Sequence, residues 1–343
     1  MHRNGSSRRD FLKAGAALAL FAATKAAPRP AFAAEQVNGT PCVSSTRALM
    51  GTFVTVTVAH ASRGFAEDAV GRAFERMGEL IPLFDRFDAA SPISVLNAEG
   101  SLQGGPPELS GLLEHARDFH SLTGGAFDPT VKPVLDLFAA TAVRDPKVRI
   151  PQEEIRELLP LVDMAALRIQ PRSLSLGKRG MGLTLDGIAK GRIVDLASET
   201  LLALGAANHL VDAGGDIRTS GERALGRPWA VAVQNPEGGE YPDVFRMRNG
   251  AVATSGAYEV WFGENRLCNH IVDPRSGHSP ALLSSATVRA RRVADADALS
   301  TALFVAPPRQ GLELIDSLPG TEALLLTARG SRLASRGWDN SLT

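Results

Sequence analysis

Short runs of β-branched and small apolar residues crowd the second half of this chain, at residues 209–212, 229–234, 250–255, 258–262, 286–290 and 323–328. Only one comparable run, 52–59, comes earlier. Runs of this length bounded by Gly, Pro and Asn read as strands. Helical spacing is concentrated before them. Ala66, Ala69, Ala73, Met77, Leu80 and Phe84 recur at three- and four-residue intervals over residues 65–84. Residues 107–122 form a second such run, stopped by Thr123-Gly124-Gly125, and 193–204 a third, closed by Gly205. A short helix over 296–305, ended by Pro307-Pro308, separates the last two strands. Helices and strands therefore do not alternate as a parallel sheet requires, and the pattern predicts an α+β fold of largely antiparallel sheets with packed helices. The 343 residues suffice for one large core or two lobes, with residues 145–151 as a loop or the junction between them.

The N-terminus carries Ser7-Arg8-Arg9-Asp10-Phe11-Leu12-Lys13, an apolar run over 14–23, and Ala31-Phe32-Ala33. A basic region, a short apolar core and a small-x-small site make a twin-arginine export signal over residues 1–33, with cleavage expected near Ala33 and a soluble periplasmic product. The apolar run is too short to span a bilayer. Residues 1–33 hold six basic side chains and one acidic one out of 37 of each, so the remaining 34–343 are net acidic. Without a basic stripe interleaved with aromatics, nucleic acid is not an expected partner. The two cysteines, Cys42 and Cys268, form neither a disulfide framework nor a zinc pattern and are read as packing residues, with a single bridge left open.

Four constellations can carry chemistry. Leu183-Thr184-Leu185-Asp186-Gly187-Ile188-Ala189-Lys190-Gly191 is a small-residue turn leading into a helix that begins with a lysine. Such a turn either presents N–H groups and an ammonium to an anion, most often a phosphate, or is a packed turn with its lysine solvated. Asp297 and Thr301, four residues apart on the 296–305 helix, project from one face and make a hard oxygen pair suited to Mg²⁺. The alternative is local, with the threonine bonded to a backbone carbonyl and Asp295 or Asp297 capping the helix. His270 precedes the tight turn Asp273-Pro274-Arg275-Ser276-Gly277 and is the histidine best placed to take a proton near neutrality, although a lone histidine is also a common structural residue. Gly124-Gly125-Ala126-Phe127-Asp128-Pro129-Thr130 adds a ring and a carboxylate on a loop that lets backbone approach a flat ligand, or simply starts the next turn.

Taken together, Met50-Gly51-Thr52, residues 124–130, 186–191 with Asp195, Asp212-Ala213-Gly214-Gly215-Asp216, Thr254-Ser255-Gly256, 270–277 and 296–301 resemble the ApbE-like family of FAD:protein FMN transferases, in the family's order. The resemblance implies a T-fold-like architecture, FAD as substrate, Mg²⁺ as cofactor, and phosphoryl transfer. A Thr or Ser hydroxyl in an Asp-x-x-(Thr/Ser)-Gly-Ala-like motif of an acceptor protein, expected in a periplasm-facing domain of a membrane redox complex, receives FMN, and AMP leaves. The resemblance further implies that Asp297, Thr301 and the Gly187 carbonyl bind the metal. It also implies that Lys190 neutralises the diphosphate, that His270 activates the hydroxyl, and that Met50, Phe87, Ala126, Phe127, Asp128, Thr184 and Ile271 cradle the nucleotide together with Lys190. Thr184 stands where the family commonly has Asp, and Asn97 falls in a segment, 91–97, expected at the flavin mouth. The competing expectations are an FAD pyrophosphatase yielding FMN and AMP, a non-catalytic periplasmic FAD-binding accessory protein, an electron-transfer flavoprotein, and an exported sugar- or peptide-binding protein.

Overall fold

A computed structural model of the chain describes residues 32–37, 40–145, 147, 150–258, 260–264 and 268–338. Of the expected export signal, residues 1–33, all but the last two lie outside the described residues. The first elements are β1 (Phe32–Val37), β2 (Thr40–Leu49), β3 (Thr52–Ala59), α1 (Arg63–Phe84), α2 (Pro92–Glu99), β4 (Ser101–Gln103), α3 (Pro107–Leu122), α4 (Lys132–Arg144) and α5 (Gln152–Leu158). Next come β5 (Leu167–Gln170), β6 (Ser173–Leu176), α6 (Ala189–Ala203), β7 (His209–Ala213), β8 (Asp216–Ser220), β9 (Trp229–Val233), β10 (Asp243–Met247), β11 (Gly250–Gly256), β12 (Trp261–Phe262) and β13 (Cys268–Asn269). The chain closes with β14 (Leu283–Ala290), α7 (Val293–Val305), α8 (Pro308–Asp316), β15 (Glu322–Thr327) and β16 (Arg332–Ala334).

A nine-stranded sheet in the order β1-β2-β3-β7-β8-β11-β14-β15-β16 is the backbone of the fold. Its pairings are antiparallel throughout. This is the α+β, largely antiparallel arrangement expected from the strand pattern. One face packs against α1, α6 and α7 around a core that includes Val54, Val56, Val58, Phe74, Met77, Val194, Leu201 and Phe304. The other face of β11 and β15 is closed by the β9–β10 ribbon, where Val231, Val233 and Phe245 meet Val252, Leu324 and Trp338. Covered on both sides, β14 is buried at nearly every position rather than at alternate ones.

Between sheet and α6, α7 is apolar almost all round and built largely of Ala, Leu and Phe. Its approach to α6 is set by Gly191, where a Cβ would lie 2.7 Å from backbone atoms of Val293 and Ala294. α6 starts at Ala189, one residue before the lysine with which the turn predicts the helix to begin. Glycine lowers helix propensity, but here the absence of a side chain is what lets the two helices meet. Asp195, also on α6, accepts hydrogen bonds from Val293 N (2.9 Å) and Ala294 N (3.0 Å) and caps α7 from outside its own sequence. Burial pushes the Asp195 carboxyl above the usual range against the pull of those two N–H groups. The expected strand over 258–262 is present only as Trp261–Phe262, and Tyr258 lies in a turn beside Gly256. Pro307-Pro308 ends α7 as expected and also opens α8, since proline fits the first turn of a helix. Both cysteines are free. Cys42 packs with Ala59 and Trp229, and Cys268 against the Phe138 cluster.

His209 opens β7 fully buried, its Nδ1 donating to Ala206 O (2.7 Å) and its Nε2 accepting from Ser198 Oγ (2.7 Å). Burial lowers its pKa, so the folded chain keeps this ring neutral where the unfolded chain protonates it. Stability is therefore expected to fall as pH drops below about 6.5, the unfolded value, by up to ~1.4 kcal/mol per pH unit until the folded pKa is reached. Urea midpoints of wild type and His209→Gln at pH 7.5 and 5.5 check this; the wild type should lose more stability on acidification than the variant.

Candidate active site

The cleft opens where the turn before α6, the loop after α3, the loop after β13 and the inner face of α7 converge. Ala126, Phe127, Asp128, Thr184, Asp186, Gly187, Lys190, Asp216, Ser255, His270, Ile271, Asp297 and Thr301 are among its lining residues.

The turn over residues 184–188 is fixed by its own hydrogen bonds. Thr184 N donates to Pro129 O (2.8 Å), Asp186 N to Thr184 Oγ1 (3.3 Å), and both Ile188 N and Ala189 N to Leu185 O (3.0 and 2.8 Å). Gly191 N donates to Asp297 Oδ2 (3.2 Å). These N–H groups are therefore committed within the protein. The attraction of this helix start for an anion rests on the Lys190 ammonium and the helix dipole rather than on an open row of amides. Lys190 Nζ lies 3.5 Å from Asp216 Oδ2, a carboxylate at the end of the tight β7–β8 hairpin. In that hairpin Gly215 N donates to Asp212 Oδ1 (2.9 Å), and burial raises the Asp212 carboxyl despite the opposing pull of that bond and of Lys190. A Cβ on Gly214 would strike Thr52 Oγ1 at 2.3 Å, so glycine is required where the hairpin passes β3.

Asp297 and Thr301 face the cleft from α7, one helical turn apart. A Cβ on Gly187 would lie 2.8 Å from Thr301 Oγ1 and 3.3 Å from the Phe127 ring, so the Gly187 backbone runs directly beside the threonine hydroxyl. The Asp297 carboxylate and the Thr301 hydroxyl set two hard oxygens on one side of the cleft beside the Gly187 backbone, the donor chemistry that a Mg²⁺ ion would use. Ser255 Oγ bonds to Ser300 Oγ (2.8 Å) and Thr301 Oγ1 (3.2 Å), and Ser300 Oγ donates to Asp297 O (2.9 Å). This hydroxyl chain orients Thr301.

His270 sits half-buried on the far wall. The buried Asn269 sets the loop: its Oδ1 accepts from Ile271 N (2.9 Å), and its backbone exchanges two bonds with Ser279 Oγ. Asp273 closes the following turn by accepting from Ser276 Oγ (3.0 Å) and from Arg275 N (3.0 Å), and Arg275 Nη2 reaches across to Gly124 O (3.1 Å). That last bond ties the His270 loop to the loop bearing Phe127 and Asp128. Asp128 is held by Thr130 N (2.8 Å), Thr130 Oγ1 (2.6 Å) and His120 Nδ1 (3.3 Å), while burial raises its pKa.

Most of the residues named from the sequence thus meet in one cleft. Two do not line it. Met50 is in the β2–β3 turn at φ 53°, a left-handed conformation rare outside glycine, and packs against the main core. Phe87 is 67% exposed on the loop after α1, its ring under the Arg86 guanidinium at 4.2 Å. Asn97 clamps the segment entering the turn: its Nδ2 donates to Leu183 O (2.9 Å) and its Oδ1 accepts from Leu183 N (2.7 Å). Ser255 and Asp216 were visible only as members of motifs, and nothing local to them signals their partners on α7 and α6.

The ApbE family model matches residues 50–325. The chain belongs to the ApbE family. Among relatives, the FAD:protein FMN transferase of Treponema pallidum is 32% identical over 278 residues, 72% of this chain and 73% of that protein. That of Haemophilus influenzae is 32% identical over 218 residues, covering 61% and 63% respectively. Of solved structures, an ApbE protein from Thermotoga maritima is 28% identical and superposes with a TM-score of 0.75 over 92% of this chain and all of that one. The flavin transferase ApbE of Vibrio cholerae shares the fold at a TM-score of 0.78 and 24% identity, over 88% of this chain and all of its own. ApbE membership removes the sugar- or peptide-binding reading.

Asp297→Asn keeps an acceptor for Gly191 N but removes the charge from the oxygen set. Calorimetric titration with Mg²⁺ should show affinity lowered by about 10- to 100-fold, with the thermal midpoint nearly unchanged. Unaltered affinity would take Asp297 out of the metal site.

Proposed function

We propose that this chain is an FAD:protein FMN transferase, joining the FMN half of FAD to a hydroxyl of an acceptor protein and releasing AMP. The observation that carries the reading is the convergence of His270, Lys190, Asp297, Thr301 and the Gly187 backbone on one cleft. Phosphoryl transfer needs charge neutralisation, in-line positioning and a proton acceptor, and needs little else from the protein.

Asp297 and Thr301 side chains and the Gly187 carbonyl would hold Mg²⁺, which supplies charge neutralisation on the diphosphate. Lys190, held by Asp216, adds a second positive charge at the start of α6. Ala126, Phe127 and Ile271 form an apolar wall for the flavin nucleotide, with Asp128 and Thr184 beside it. His270 accepts the proton of an incoming Thr or Ser hydroxyl. The hydroxyl oxygen bonds to the FMN-side phosphorus, the phosphoanhydride P–O bond breaks, and AMP departs with the bonding pair. The acceptor carries an Asp-x-x-(Thr/Ser)-Gly-Ala-like motif on a periplasm-facing domain of a membrane redox complex. The Arg8-Arg9 leader supports export by the twin-arginine route to that compartment.

Intact-mass spectrometry of a small acceptor domain bearing that motif, incubated with residues 34–343, FAD and Mg²⁺, should report an FMN adduct with stoichiometric AMP, both abolished by a chelator. Free FMN and AMP without adduct would replace the reading with an FAD pyrophosphatase. In the same assay His270→Ala should retain FAD binding while slowing transfer by about 10²- to 10⁴-fold, the usual contribution of a positioned base. Full activity of that variant would exclude the histidine as base.

A further inference from the structure

A cleft that accommodates a diphosphate is a poor place for carboxylates, yet Asp186 lines this one beside Gly187 and Lys190. Two other carboxylates of the cleft are answered from within their own surroundings: Asp216 by Lys190, and Asp128 by Thr130 and His120. Asp186 is answered from another part of the fold. Arg86, on the loop between α1 and α2, donates from Nε to both carboxylate oxygens (3.0 and 2.9 Å), and its Nη2 lies 2.9 Å from Oδ2. A fork of this kind is the geometry in which a guanidinium best cancels a carboxylate.

The arginine is held ready for it. Its guanidinium lies over the Phe87 ring at 4.2 Å, and its side chain is 18% exposed against 38% for that of Asp186. The loop that carries it is stiffened by Asx turns in which Asp85 accepts from Phe87 N and Asp88 from Ala90 N (both 2.9 Å), before Ser91 caps α2. Arg86 therefore loses little freedom in holding the carboxylate, and the pair bridges positions 100 residues apart.

We propose that Arg86 is a positioning residue for the nucleotide site, and that by pairing with Asp186 it makes the cleft electrostatically compatible with the diphosphate of FAD. The proposal rests on the FAD reading above. Arg86 acts through Asp186: with the pair intact the turn presents a neutralised carboxylate, and with Arg86 removed it presents an uncompensated negative charge beside the bound diphosphate. The two members are then unequal. Losing the arginine harms binding, whereas losing the carboxylate as well restores it.

The test is FAD binding followed by flavin fluorescence, without acceptor protein, in wild type, Arg86→Gln, Asp186→Asn and the double variant. At low ionic strength Arg86→Gln should weaken FAD binding about tenfold or more, and the double variant should recover to within about threefold of wild type. Asp186→Asn alone should stay within about the same threefold, and the Arg86→Gln defect should shrink in ~0.5 M salt as the exposed charge is screened. Arg86→Lys, which keeps the charge and loses the fork, should fall between wild type and Arg86→Gln. Unchanged affinity in Arg86→Gln, a double variant no better than that single one, or a defect indifferent to salt would each overturn the proposal. The last two would reduce the pair to a structural tie. Failure of the wild type to bind FAD would instead remove the FAD reading, and the proposal with it.

Discussion

How closely α6 can approach α7 governs the rest of the molecule. The contact at Gly191 has no room for a methyl group, and it brings the Gly191 N–H onto Asp297 and the Asp195 carboxylate onto the first two amides of α7. Packing and capping are thus the same interaction. The crossing sets where Asp297 and Thr301 stand relative to the turn that ends in Lys190, so the oxygen set and the lysine cannot be moved independently. Small residues along α7 serve the same end, because a bulkier helix would sit farther from the sheet and from α6.

Three of the cleft's carboxylates each face a nitrogen-bearing side chain, and a fourth, Asp297, accepts from the Gly191 amide. Lys190 faces Asp216, Asp128 faces His120, and Asp186 faces Arg86. A site of this composition gains little attraction for anions from its net charge, and its affinity for a diphosphate depends on where each charge is fixed. The hydroxyl chain through Ser255 and Ser300, the Asn97 clamp on Leu183 and the Arg275 bond to Gly124 are the devices that fix them. They are side-chain bonds to distant partners, and together they replace the rigidity a loop-built site lacks.

What could be read from the chain beforehand follows from this. The strand Thr52–Ala59 and the helix Pro107–Leu122 were legible to the residue because their periodicity is set by a single buried face. The helices that begin near Lys132-Pro133 and Pro308 were not, because proline punctuates a sequence whether it ends a helix or starts one. The start of α6 beside Lys190 was legible from the turn before it, whereas the reason for Gly191 lies on another helix. At the site, Lys190, His270, Asp297 and Thr301 stood out by residue type and spacing, and the structure places them in one cleft. Phe87 and Met50 were named by resemblance alone and lie outside its lining. The Arg86–Asp186 pair had no local signature at all, since neither residue's neighbours in sequence point toward the other.

The ties between loops span long stretches of chain: 86 residues from Asn97 to Leu183, 99 from Asp195 to Ala294, and 151 from Gly124 to Arg275. No single supersecondary unit contains a catalytic fragment. A nascent or clipped chain ending before α7 would lack the oxygen set, the partner of Gly191 and the helix that Asp195 caps, so it would hold no partly competent site. Closing loops of that length is the slow part of folding. A site assembled from segments this far apart forms only with the complete fold.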